Sequence, residues 1–162
     1  MTKPAVYLET SVISYAASRP SRDLIVAARQ QVTRDWFDHE ASKYDVVVSR
    51  LVAREASAGD PEAANRRRDR LSGIPLLEIT TEVERLVDTL LNAEVVPRTS
   101  VEDAFHIAVA AVHGVDYLLT WNFAHIANAT LRHAIEDECR NAGFEPPVIC
   151  TPEELTDGNQ GR

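Results

Sequence analysis

The sequence predicts an α/β fold: a mainly parallel, five-stranded sheet with helices on both faces. Short apolar runs at Val6-Tyr7-Leu8, Val46-Val47-Val48, Leu76-Leu77-Glu78-Ile79, Tyr117-Leu118-Leu119-Thr120 and Val148-Ile149-Cys150 lack the alternation of a half-exposed strand. Stretches of helical periodicity separate them, as crossovers between parallel strands require. The length of 162 residues, with 44% apolar and 26% charged side chains, suits one globular domain, expected over 1–156. Residues 157–162 carry no apolar anchor and are expected to be a disordered tail.

The elements follow in order. After the first strand, Glu9 is succeeded by Thr10 and Ser11, hydroxyls suited to cap a helix that ends before Pro20. Asp23 opens a long helix with apolar positions Leu24, Ala27, Ala28, Val32, Trp36 and Phe37, fading near Lys43. Ser49 caps a helix carrying Leu51, Val52 and Glu55 that stops near Gly59, and Pro61 opens another that ends at Gly73. Thr80 precedes a helix over 82–91. Ser100 stands three residues before Asp103, a start resembling a capping box, for a helix running to His113. The last helix is expected over 125–142.

Composition excludes several classes. Net charge is −8, so the chain does not coat nucleic acid by bulk electrostatics. Locally, 61–75 holds four Arg against two acids, whereas 76–103 holds two Arg against seven acids. This asymmetry suits a basic rim beside an acidic pocket, although a run such as Arg66-Arg67-Arg68 is more often a solvated helix face. Cys139 and Cys150 lack zinc-site or disulfide-framework spacing and are expected to be buried thiols. The longest strictly apolar stretch, 107–112, is far too short for a membrane span, and no signal segment develops before Glu9, so a cytoplasmic location is expected.

Ligand sites in doubly covered parallel sheets lie beyond the carboxyl ends of the strands. Glu9, Ser49 and the segment Thr120-Trp121-Asn122 occupy those ends. Glu55 shares a helix face with Leu51 and Val52 instead of pointing away from it; pairing with Arg54 or Arg50 is its blander role. Asp103 stands in the first turn of a nearly all-apolar helix, where an acid is costly unless capped, paired or cation-bound. Asn122 by itself reads as a turn former. Three carboxylates brought together repel unless a divalent cation neutralises them, and oxygen donors favour Mg²⁺ or Mn²⁺. His106 and His113 read as satisfied core residues and His125 as a local hydrogen bonder. Nucleotide-loop and nucleophile-elbow motifs do not occur.

The run Val6-Tyr7-Leu8-Glu9-Thr10-Ser11-Val12-Ile13-Ser14, the segment Ser49 to Glu55 with Gly59-Asp60, the run Glu102-Asp103-Ala104-Phe105-His106-Ile107-Ala108 and the stretch Leu118-Leu119-Thr120-Trp121-Asn122 with His125-Ile126-Ala127-Asn128 together resemble the PIN-domain family. The nearest likeness is to VapC-like ribonuclease toxins of toxin–antitoxin pairs, and it includes a Cys150-Thr151-Pro152-Glu153-Glu154-Leu155 ending. The resemblance implies a three-layer α/β/α nuclease fold, Mg²⁺- or Mn²⁺-dependent RNA cleavage, a cognate antitoxin and a homodimer. Carried over by position, Glu9, Glu55 and Asp103 are the metal-binding acids and Asn122 the fourth catalytic position. Glu9 replaces the usual Asp, and Asn122 is neutral where an acid is common. Thr10, Ser11 and Thr120 are expected to orient water or substrate, and Arg54, Arg66, Arg67 and Arg68 to contact RNA. Two alternatives stand beside this: a PIN-like domain with a weakened site that only binds a protein partner, and a phosphotransfer or phosphatase α/β domain.

Overall fold

The structure, a computed structural model, describes residues 2–157. Five parallel strands run in the order β3-β2-β1-β4-β5: β1 (Ala5–Leu8), β2 (Asp45–Ser49), β3 (Leu76–Leu77), β4 (Tyr117–Leu119) and β5 (Val148–Cys150). Central β1 pairs with β2 through Tyr7↔Val47 and with β4 through Leu8↔Leu119. Val6, Tyr7 and Leu8 are wholly buried because both faces of this strand are covered, which is why the run shows no alternation.

The helices among the described residues are α1 (Thr10–Ala17), α2 (Leu24–His39), α3 (Arg50–Ala56), α4 (Pro61–Leu71), α5 (Thr81–Asn92), α6 (Val101–Val112) and α7 (Arg132–Asn141). Right-handed crossovers put α1–α4 on one face and α5–α7 on the other. The contacts agree, since α1 packs on α2, α3 and α4, while α5 packs on α6 and α7. The chain moves outward from β1 through β2 to β3 and then returns to β4 on the other side. The order therefore reverses between β1 and β4, and a crevice opens there at the strands' carboxyl ends.

Four expectations about the elements are corrected. The 125–142 helix begins only at Arg132. Before it, Asn122 Oδ1 accepts from the Ala124 and His125 N–H groups, and Asn128 Oδ1 from Thr130 N–H; these side-chain bonds fold turns in place of helix. Edge strand β3 covers Leu76–Leu77 and not the full run to Ile79. Ser100 makes no side-chain cap: its N–H, which a capping-box acid would accept, already donates to Pro97 O at 2.9 Å in a 3₁₀ turn. Finally, α1 is capped by Glu9, whose carboxylate accepts from Ser11 N–H, in place of a hydroxyl.

Of the expected tail, 158–162 lie outside the described residues; Asp157 pairs with Lys43 Nζ. Cys139 and Cys150 are free and buried, and burial pushes their thiols up to about 11 and about 12, so both stay protonated near neutrality. No helix of the described residues is long and apolar enough to cross a membrane.

Candidate functional site

Each expected acid sits on an element that ends at the crevice. Glu9 follows β1 and is buried, so its carboxyl oxygens need partners within the protein. Oε1 accepts from Ser11 Oγ at 2.5 Å and Thr120 Oγ1 at 2.6 Å; Oε2 accepts from Ser11 N–H at 3.1 Å. Ser11 Oγ also accepts the Trp121 N–H at 2.9 Å, and Thr120 Oγ1 the Asn122 N–H at 2.9 Å. The carboxylate thereby ties the start of α1 to the segment leaving β4.

Glu55, near the end of α3, turns back toward the sheet as its shared face with Leu51 and Val52 implies. Oε1 accepts from Thr10 Oγ1 at 3.0 Å and lies 2.7 Å from His106 Nε2. Burial raises its pKa, but His106, Thr10 and the nearby Arg54 outweigh that and leave the carboxyl below the usual range. Asp103, in the first turn of α6, accepts from Asn122 Nδ2 through Oδ1 at 3.0 Å. Its pKa moves up: burial and the charge of Glu9 outweigh His106, His125 and Asn122.

Among the described residues, the donors leave one oxygen free on two of the three acids. Among the described residues, one oxygen of each takes the side-chain bonds, while Glu55 Oε2 and Asp103 Oδ2 have no partner and Glu9 Oε2 has only a backbone N–H. Carboxylates pinned by one oxygen and open at the other are arranged as oriented metal ligands are. Their chemistry, hard and oxygen-only, fits Mg²⁺ or Mn²⁺. Among the described residues, however, no three His, Cys, Asp or Glu side chains gather closely enough around one point to hold an ion as they stand.

Glu55 and Asp103 line a cleft of about 440 Å³ with Arg54, Thr99, Ser100 and Glu102. A larger hollow of about 560 Å³, between the end of α5 and the turns at 124–131, contains none of the four expected site residues. The first cleft holds two of the three expected carboxylates, Glu55 and Asp103; Glu9 does not line it.

Of the expected arginines, Arg54 alone lines that cleft. Arg66 Nε donates to Ala17 O at 3.2 Å, and Arg67 donates from Nε to Ala56 O at 2.8 Å and from Nη2 to Ala58 O at 2.5 Å. Both bind carbonyls at or beyond helix C-termini, which attract cations. Arg68 is exposed and bonds to Asn65 Oδ1. Arg67→Ala should therefore lower stability by about 1 kcal/mol and Arg68→Ala by no more than about 0.5 kcal/mol, as urea unfolding would measure.

Sequence reasoning missed two groups. His106, read as core, is buried yet bonded to Glu55. Arg29, on α2, stacks 4.8 Å from the ring centre of half-exposed Phe123 and 5.6 Å from that of Trp121. An aromatic on each side of Asn122 was a visible signal for it.

A scan of protein-family models and a search of curated proteins found no match. Solved structures do match. One is VapBC2 from Rickettsia felis bound to a DNA fragment from its promoter: 12% identity, TM-score 0.58, covering 91% of this chain and 98% of that one. Another is VapBC-5 of the VapBC toxin–antitoxin family from Mycobacterium tuberculosis: 19% identity, TM-score 0.48, covering 77% of this chain and 92% of that one. With the five-stranded parallel sheet, the first match identifies the fold of this chain as that of a VapC-like PIN domain.

Proposed function

We propose that the chain is a divalent-metal-dependent endoribonuclease, the toxin of a toxin–antitoxin pair. One observation carries this reading: Glu55 and Asp103, from separate helices, line one cleft, each held by side-chain bonds through one oxygen and open at the other, while buried Glu9 stands at the carboxyl end of β1. Glu9, Glu55 and Asp103 would hold Mg²⁺ or Mn²⁺, which when bound would lower the pKa of an attacking water and offset phosphate charge. Thr10 orients Glu55, Ser11 and Thr120 orient Glu9, and Asn122 orients Asp103. The fold shared with VapBC2 supports a cognate antitoxin as partner. A homodimer is part of the same proposal.

The test is cleavage of a single-stranded RNA by the purified chain with Mn²⁺ and with EDTA. Cleavage only with Mn²⁺ supports the reading, and none under either condition overturns it. The second reading, a domain that only binds a partner, is favoured by the acids not gathering around one point. It predicts a stable antitoxin complex without cleavage.

The polyanion needs a cationic contact outside the acidic crevice. Arg29 supplies one: among the described residues its guanidinium has only aromatic partners, beside Asn122. Arg29→Gln should raise KM for a short RNA about fivefold and reduce the log–log salt slope by about 0.7, with Mn²⁺ affinity unchanged. Steady-state kinetics at three salt concentrations would measure both.

A further inference from the structure

His106 is nearly fully buried inside an otherwise apolar stretch of α6, but its ring touches only polar partners at its two nitrogens. Nε2 lies 2.7 Å from Glu55 Oε1 and Nδ1 2.7 Å from Tyr7 Oη, which in turn lies 2.8 Å from Ser49 Oγ. Ser49 Oγ accepts the Val52 N–H at 3.3 Å as the cap of α3. The line therefore runs from the cap of the helix carrying Glu55, through central β1, to α6 and back to Glu55.

One assignment gives every proton on this line an acceptor. Ionised Glu55 only accepts, so Nε2 must carry hydrogen. The Ser49 hydroxyl, already accepting from Val52, donates to Tyr7 Oη, and Tyr7 donates to Nδ1. Were Nδ1 also protonated, Tyr7 would donate to Ser49, and the buried Ser49 proton would have no acceptor among the described residues.

Resting on the metal-site reading above, we propose that His106 is a positioning residue: held as the Nε2–H tautomer by Tyr7 and Ser49, it fixes Glu55 Oε1 and leaves Oε2, which has no partner among the described residues, available to ligate a cation. Outer partners of this kind typically change metal affinity by about 10–100-fold when removed.

The test uses the full chain, Mn²⁺ as probe and two readouts. Ring ¹⁵N resonances of His106 without metal should show hydrogen on Nε2 and a bare Nδ1; the opposite tautomer overturns the proposal. Mn²⁺ binding, followed by the EPR signal of the free ion, should weaken about 10–100-fold in His106→Leu. His106→Gln, whose amide nitrogen reaches about as far as Nε2, should stay within about threefold of wild type, and His106→Asn, which falls short of Glu55, should resemble His106→Leu. If His106→Leu does not fold, the Gln and Asn pair decides. Equal affinity in Gln and Asn variants, with wild type binding Mn²⁺, overturns the positioning role and leaves the nuclease reading standing. Failure of wild type to bind Mn²⁺ overturns both.

Discussion

Asp103→Asn is expected to reduce RNA cleavage by about 100-fold or more and to leave the fold intact. The substitution removes one of three charges from the crevice without changing volume, and the amide oxygen it introduces can still accept from Asn122 Nδ2. Losing roughly 3 kcal/mol of transition-state stabilisation accounts for the factor. Stability should move the other way. Burial and Glu9 raise the Asp103 pKa, so the folded state disfavours its ionised form. Without metal, wild-type stability should therefore fall as pH rises through that raised value, and the Asn variant should lack this fall. At pH 7 its metal-free melting temperature should equal or exceed that of wild type. Near-normal cleavage by a well-folded variant would remove Asp103 from the site.

The sequence made the strands legible where burial on both faces imposed continuous apolar runs. Edge strand β3 was read too long because Glu78 and Ile79 continue the pattern after pairing ends. Glu55 could be read because it shares the inward face of α3, and Asn122 because it follows a strand tip. The chain between β4 and α7 was misread because helical spacing of apolar residues outweighed Asn122 and Asn128, whose side chains fold the turns. His106 was hidden by its neighbours: on a helix that is apolar all round, a histidine reads as filling. Its signal lay elsewhere, in Tyr7 at the centre of β1, since a buried phenol needs a hydrogen-bond partner. Arg66 and Arg67 were illegible for a different reason, because a run of arginines does not reveal which carbonyls fold back to meet it.

Asn122→Asp should shift stability in opposite directions with and without metal. Asn122 Oδ1 accepts from Ala124 N–H at 3.1 Å and His125 N–H at 3.2 Å, and Asp can keep both bonds. The cost falls on the other atom. Nδ2 now donates to Asp103 Oδ1 at 3.0 Å; an oxygen there replaces a hydrogen bond with a contact between two carboxylates. Without metal, the lost bond and the repulsion should lower stability by about 1–3 kcal/mol, or roughly 2–12 °C in melting temperature for a domain of this size. A cation reverses the sign, because the added hard anion becomes a fourth oxygen donor. Mn²⁺ affinity should rise by about tenfold, so the stabilisation that saturating metal confers by mass action should increase by about 1.4 kcal/mol. A Mn²⁺ titration followed by thermal unfolding reads both effects in one series. A metal-free melting temperature equal to wild type, together with unchanged Mn²⁺ affinity, would place Asn122 outside the site and reduce it to the residue that folds the turn after β4.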